Sequence, residues 1–525
     1  MRAALGLSLC LCIALAPIAT GQDTARGVVY DDANRNSVRD AGEAGLPGVA
    51  VSNGREVAQT DGDGAWSLPA GEDTIFFVIK PSGFGVPVNH NKIPQFYYLH
   101  KPNGSPPLDP PGVSPTGPLP PSIDFPLLRQ EEPAKFDMIL FGDTQARGLR
   151  EVNFVSHDVV EELIGYPAAF GMSLGDIVAD DVLLFESINQ SLSEIGVPWY
   201  NVFGNHDNDR LSKDDRTSDE HYEKVYGPGT YAFEYGNAVF LPLDTVFFKP
   251  EGGYTSALID DQLTFIENYL KLVPKEKLVV LSMHITLMRC EGKDRLFAAL
   301  KDFPHTLSIA AHAHEQRQFF LTEEQGWQGA EPHHHVIHAT VSGSWWCGTF
   351  DERGIPHATM NDGAPNGYSI VTFDGNQYSI RFKAASRPDE YQMNIYTAEE
   401  YEEEAVATAE VQVNVFSGTE RSRVEMSLDD GQTWTAMEQF MGEDPEVLRM
   451  HLQNPHLKEE VFGWKMDSPS KTRHMWRAPL RQALGQGTHR VTVRTTDMYG
   501  QTYTAHRLFR VVAPGALTPP PAPGA

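Results

Sequence analysis

Cysteine is scarce: the chain has four in 525 residues, and two of them, Cys10 and Cys12, fall inside an apolar N-terminal run. That excludes a disulfide-framed fold and leaves Cys290 and Cys347 as one possible pair in an oxidising compartment. Positive charge is also short. Lys and Arg number 42 against 70 Asp and Glu, a formal charge of -28 that repels polyanions, so no nucleic-acid-binding surface is expected. Bound divalent cations would reverse that sign locally. The apolar run from Ala3 to Ile18, after Met1-Arg2 and before the small residues Ala19-Thr20-Gly21, reads as a cleaved secretory signal over 1–21, with a membrane anchor as the rival. No later stretch approaches the roughly 18 apolar residues of a spanning helix. The expectation is a periplasmic or secreted protein without a transmembrane segment once the signal is removed.

At this length several domains are expected. Residues 22–131 read as short alternating strands broken by Gly and Asp turns, followed by a Pro-rich connector whose SIDFPLL end suggests an edge strand. Over 132–388, strand-like runs (FDMILF, AAFGMSL, PWYNVFG, AVFLPL, LVVLSM, LSIAA) alternate with helical stretches such as Val152 to Ile164 and Ile259 to Leu272. The hairpin signal IVTFDGNQYSIRF closes this α/β domain. Residues 389–513 carry further strand patterns and read as a second all-β sandwich. The Pro/Ala-rich tail, 514–525, has the composition of a disordered segment.

The strongest signal is a set of metal-competent residues, each placed where a strand-like run ends. FGDTQ supplies Asp143 and Gln145, LGDIVADD supplies Asp176, FGNHD supplies Asn205 and His206, LSMHI supplies His284, and AAHAH supplies His312 and His314. Strands of a shared sheet end side by side, so these residues can converge. A phosphate ester resists nucleophiles through its own charge. Two cations roughly 3.5 to 4 Å apart neutralise it and clamp the attacking and leaving oxygens, with one carboxylate as the bridge. A cation-held water ionises at about pH 7 instead of about 15.7, which supplies hydroxide. His206 would then protonate the leaving oxygen.

This set resembles the calcineurin-like metallophosphoesterases, whose blocks run D-x-H, GD, GNH, H and G-H-x-H in that order. The resemblance implies a central α/β domain built as a β-sandwich flanked by helices, holding two divalent or mixed-valence ions (Mn, Fe or Zn). It implies Asp143 and His314 on the first metal, Asp176 as the bridge, Asn205, His284 and His312 on the second, and His206 as acid or phosphate binder. Two departures stand out. Gln145 replaces the usual His, a harder and weaker ligand, and Ala311 replaces the usual Gly, which matters only if the backbone there needs positive φ.

Downstream, His333 to His335 and His338 precede TVSGSWWCGTFDERGIPHATMNDGAPNGY, which is similar to a segment of a bacterial subgroup of these enzymes with an added C-terminal domain. Trp345 and Trp346 are candidates for an aromatic substrate wall, and Asn366 and Tyr368 for hydrogen bonds to phosphate. Adjacent tryptophans on a strand face opposite ways, so one of the pair is expected in the core. The adjacent histidines, likewise unable to face one way, are expected in surface or hydrogen-bonded roles, and Asp180 or Asp181 is a candidate to steer His206. Near the N-terminus, Asp32, Asn34, Asn36, Asp40 and Glu43 occupy positions 1, 3, 5, 9 and 12 of a calcium loop, with the Val38 carbonyl at 7 and Ser37 where the turn glycine would stand. The surrounding module resembles the SdrD-type B repeats of bacterial surface proteins, which implies a structural calcium ion.

The function expected is hydrolysis of a phosphomonoester or phosphodiester by metal-bound hydroxide at a two-metal centre. Phospholipid headgroups and nucleotides are both within the substrate range. The alternative is an envelope or surface binding protein on a retired phosphoesterase scaffold, which loss of a bridging Asp or of the GNH pair would favour. Both are present.

Overall fold

The computed structural model describes residues 23–210, 212, 214–453, 461–463, 466, 468–480 and 484–517. The expected signal over 1–21 and the end of the expected tail, 518–525, lie outside them. No helix among the described residues is long and apolar enough to cross a membrane.

Two mixed sheets form the centre. In one, the parallel strands Trp199–Asn201, Phe170–Ser173 and Lys135–Phe141 are followed by the antiparallel hairpin Gly367–Asp374 and Gln377–Ala384. In the other, Ala238–Leu243, Leu278–Met283, Thr306–Ala310 and His333–Ile337 run parallel, with Phe233–Tyr235 and Arg317–Leu321 as antiparallel edges. Inner strands such as AVFLPL and LVVLSM are buried along their whole length, which is why they are apolar at all positions but Ser282 and not only at alternate ones. The expected helix from Val152 is a continuous helical run, Leu149–Val155, Ser156–Val160 and Glu161–Leu163, whose middle turn is π-helical. The second expected helix is Asp260–Leu270.

The N-terminal part contributes two four-stranded sheets. The strand Phe125–Arg129 is not at an edge as expected: it sits inside, pairing in parallel with Asp23–Asp31 and antiparallel with Phe84–Gly85. The part is not a separate bead. Trp66, Phe76 and Phe77 share one core with Phe136 and Phe265 of the centre, and Phe77 meets Phe265 edge-on at 5.4 Å. Lys101 of the N-terminal part is buried against Asp73 and against Glu220 and Glu223 of the centre.

The C-terminal part has a four-stranded sheet (Met393–Tyr396, Glu410–Val415, Lys471–Pro479, Glu438–Glu443) and a five-stranded sheet around the hairpin Gly487–Thr496 and Thr502–Val512. The helix Pro445–Gln453 interrupts the strands, a feature absent from the sequence reading.

Candidate metal centre

Each candidate ligand follows a strand that pairs in parallel with another ligand-bearing strand, so the carboxyl ends open on one rim. Asp143, Asp176 and Asn205 follow Lys135–Phe141, Phe170–Ser173 and Trp199–Asn201 of one sheet. His284, His312 and His314 follow Leu278–Met283 and Thr306–Ala310 of the other. A rim formed by the carboxyl ends of parallel strands is where open α/β sheets place ligands.

Turning from strand to rim strains the backbone. Gln145, Asp176, His312 and His314 have φ of 45, 48, 68 and 48 degrees, a left-handed region that costs a non-glycine residue ~1–3 kcal/mol and concentrates at functional sites. Ala311 is not among the positive-φ residues, so its departure from glycine is tolerated. Gly204 is different: a Cβ there would lie 2.0 Å from Asp176 N.

The side chains meet closely. Asp176, His284 and His312 offer ligand atoms all within 4.8 Å of one another. His284 Nε2 lies 3.0 Å from Asn205 Oδ1, 3.1 Å from His312 Nδ1 and 3.2 Å from Asp176 Oδ2. Its other nitrogen is fixed 2.9 Å from the Leu174 carbonyl. His314 Nε2 faces Asp143 Oδ2 at 3.3 Å, and its Nδ1 bonds to the Gly343 carbonyl. Gln145 donates from Nε2 to Asp176 Oδ2 at 2.9 Å.

The donor set fits divalent cations. Gln145 Oε1 is buried without a hydrogen-bond partner, Asp143 Oδ2 is buried with only the His314 imidazole facing it, and three imidazoles crowd two buried carboxylates. Buried polar atoms are nearly always partnered, so orphaned acceptors aimed into a cluster of ligand nitrogens mark a cation position. The electrostatics agree. Burial pushes the Asp143 carboxyl up, but the neighbouring His314, His284 and His312 outweigh it and hold it at about 2. Burial and the charge of His284 pull His312 down to about 4, while Asp176 and Asp143 overcome burial at His284 and raise it to about 9.

His206 stands on the rim. Its backbone N–H donates to Asp176 Oδ1 at 2.8 Å and its Nδ1 meets Asp180 Oδ1 at 2.9 Å, while Arg210 pairs with the other Asp180 oxygen. Burial works against the imidazolium, but Asp180 and Asp176 raise the net affinity for a proton. The steering carboxylate is therefore Asp180; Asp181 instead accepts from Leu183 N at the start of a short helix. Asp207, not singled out in the sequence reading, is fully buried and takes the N–H groups of Val178 and Gly204, tying the Asp176 loop to the Asn205 loop. Its place directly after the GNH residues was the signal available for it.

Trp345 reaches the centre: its ring stacks on His314 at 5.3 Å and 7 degrees and meets His206 edge-on at 4.8 Å. The other three candidates for substrate contact are corrected. Trp346 is fully buried, donates to the Thr144 carbonyl and packs against Phe154. Both tryptophans sit in a turn with φ of 61 and 49 degrees and not on a strand. Asn366 is buried and donates to Asp158 and the Val341 carbonyl, and Tyr368 is buried and donates to Glu162, so their polar atoms serve the fold. A residue without any sequence signal takes their place on the rim: Tyr254, 40% exposed, set edge-on to His312 at 5.9 Å.

The histidine cluster takes the hydrogen-bonded role and not the surface one. His333 lies between Thr306 and Ser308, His335 between Ser308 and Thr286, His334 between Tyr378 and Gln318, and all are buried. Cys290 is a free, buried thiol, so the pairing with Cys347 is not made. In the N-terminal loop the Asp32 carboxylate takes the N–H groups of Asn36 and Ser37, and the amides of Asn34 and Asn36 converge on Asp40 Oδ2. Glu43 closes the loop on Ala33 N and Asp40 N, while Val38 donates its N–H to Asn36.

Comparison with known proteins matches residues 32–107 to the family described as the N terminal of calcineurin-like phosphoesterase, and residues 335–503 to that described as the C terminal of calcineurin-like phosphoesterase. No curated protein matches the sequence. Among solved structures, the purple acid phosphatase PPD1 from yellow lupin (Lupinus luteus) seeds aligns at 11% identity and a TM-score of 0.35, covering 69% of this chain and 66% of that one, so the chain spans just under two thirds of its length. The alpha-2-macroglobulin of Escherichia coli activated by porcine elastase aligns at 11% identity and a TM-score of 0.14, covering 38% and 19%. The chain thus carries matches to the two terminal parts of one family, calcineurin-like phosphoesterase, with the metal-competent residues set on the rim between them.

Proposed function

We propose that the protein hydrolyses phosphate esters, monoester or diester, at a two-cation centre held by Asp143, Gln145, Asp176, Asn205, His284, His312 and His314. The observation that carries this reading is the pair of buried acceptors without a hydrogen bond, Gln145 Oε1 and the His314-facing Asp143 Oδ2, on the rim where Asp176, His284 and His312 meet. Two divalent ions, of Mn, Fe or Zn, would neutralise the phosphoryl charge and lower the pKa of a water at the centre. In this reading Asp176 would serve both ions, Asp143, Gln145 and His314 would hold the first, and Asn205, His284 and His312 the second.

His206 is the proton donor to the leaving oxygen. Asp180 holds its Nδ1, which leaves Nε2 for the substrate, and Asp176 fixes its backbone. Trp345 orients the imidazole and lends an apolar wall to the substituent of the phosphate. Hydrolysis of p-nitrophenyl phosphate and its bis ester, followed with and without added Mn, Fe or Zn, tests the reading; turnover of neither ester with any of them would sink it.

Export is proposed from the N-terminal run, and structural calcium from the spacing of Asp32, Asn34, Asn36, Val38, Asp40 and Glu43. Calcium should raise the melting temperature, and Asp32→Ala should remove that rise.

A further inference from the structure

Between the segment 347–365 and the helix Pro445–Gln453 lies a cavity of about 410 Å³. Small-molecule sites run to roughly 300–1,000 Å³ and favour domain junctions. None of the seven metal ligands lines it. Its apolar surface comes from Ala358, Pro365, Val447, Met450 and Met466.

The acidic groups of the lining are taken up within the fold. Asp444 accepts from Tyr396 OH at 2.6 Å, from Asn414 Nδ2 at 2.7 Å and from the N–H groups of Glu446 and Val447 at 2.9 and 3.0 Å. Glu446 pairs with Arg449 one helical turn on. Arg387 is the exception among the charges. Nearby, Arg381 pairs with Asp389, and Arg353 with Asp158 and Asp351. The Arg387 guanidinium instead lies 5.6 Å from the centre of the Tyr391 ring, with no carboxylate in ion-pair reach among the described residues. It also lines an adjoining cavity of about 160 Å³. In a chain with 28 more acidic than basic residues, an arginine without a carboxylate partner on a partly apolar hollow is a ready partner for an anion, because its planar fork matches carboxylate and phosphate oxygens.

We propose that this interdomain cavity binds a small organic anion, a carboxylate or phosphate on an aromatic or apolar body, with Arg387 holding the charge and Tyr391, Val447 and Met450 covering the body. The proposal stands apart from the phosphoesterase reading, since it uses none of the metal ligands.

Calorimetric titration of the full, metal-loaded chain with benzoate and with phenylphosphonate tests it, the two probes separating carboxylate from phosphate-like recognition. At least one should bind. Arg387→Glu should weaken that binding tenfold or more, and Met450→Trp, which fills the hollow from a half-buried position, should weaken it similarly with the melting temperature held. Asp176→Asn should leave it intact. Binding of neither probe at millimolar concentration would overturn the proposal. So would binding lost in Asp176→Asn but unchanged in Arg387→Glu and Met450→Trp, which would place the probe on the metal centre.

Discussion

At Gln145 the amide nitrogen donates to Asp176 while the amide oxygen is buried without a partner, so in the proposed centre the residue would orient the bridging carboxylate and offer the first cation a neutral oxygen. Imidazole is the softer and stronger donor for Mn, Fe or Zn. Gln145→His should therefore slow loss of the first cation, with about tenfold tighter retention on dialysis against a chelator, read as metal per chain. His206 has a different task. His206→Gln should lower kcat by about 100 to 10,000-fold while metal content stays at the wild-type level, because the proton donor is removed and every ligand is kept. Asp180→Asn, which weakens the acceptor at Nδ1 and also loosens the Arg210 pair, should lower kcat by less than His206→Gln does in steady-state assays.

Elements set these residues in place, and glycine decides how closely two of them approach. In Gly204→Ala the new methyl would meet the backbone and carboxylate of Asp176, moving one loop off the other. Activity should drop about 100-fold or more, as expected when reacting groups shift by around 1 Å. The strand His333–Ile337 makes a prediction about pH. Burial holds His333 far below its ordinary value and His334 and His335 at about 3. Unfolded, each would take a proton below roughly 6.5. Between about pH 6.5 and 3 the unfolded chain thus carries more protons, so stability is full above that window and is lost as pH falls, by up to ~1.4 kcal/mol per pH unit per histidine. Melting temperatures from pH 8 to 4 should show this fall, and His334→Asn should make it shallower.

The same elements show what was legible in the sequence. The ligands could be read because each follows an apolar run by only a few residues, so a local pattern reports a position on the rim. The tryptophan pair is not legible in this way, because residues 341–346 form a turn in which Gly343, Trp345 and Trp346 have positive φ, which no alternation rule describes. Tyr254 gave no signal, since its place beside His312 depends on a hairpin, Val246–Phe248 and Tyr254–Ser256, packing near a strand end over 50 residues away.

Across the whole molecule the C-terminal part is tied to the metal centre. Two residues after His314, Gln316 N donates to Asp362 Oδ2, which also meets His474 Nε2 at 3.1 Å. His474 Nδ1 meets Asn414 Oδ1, and Asn414 donates to the Asp362 carbonyl and to Asp444. Breaking a fully buried pair of this kind costs ~3–5 kcal/mol. Asp362→Ala should lower stability by about that amount in urea unfolding and reduce retention of the first cation, because the chain beyond His314 loses its anchor. The proposed centre, however, depends most on Asp176, the one carboxylate that would serve both cations. The most direct measurement is metal content per chain together with phosphate-ester hydrolysis, for wild type and Asp176→Asn. The account predicts two cations per wild-type chain with metal-dependent turnover, and loss of both the turnover and at least one cation in the variant. Hydrolysis undiminished in Asp176→Asn, or a wild-type chain that turns over ester at full rate without cations, would contradict it.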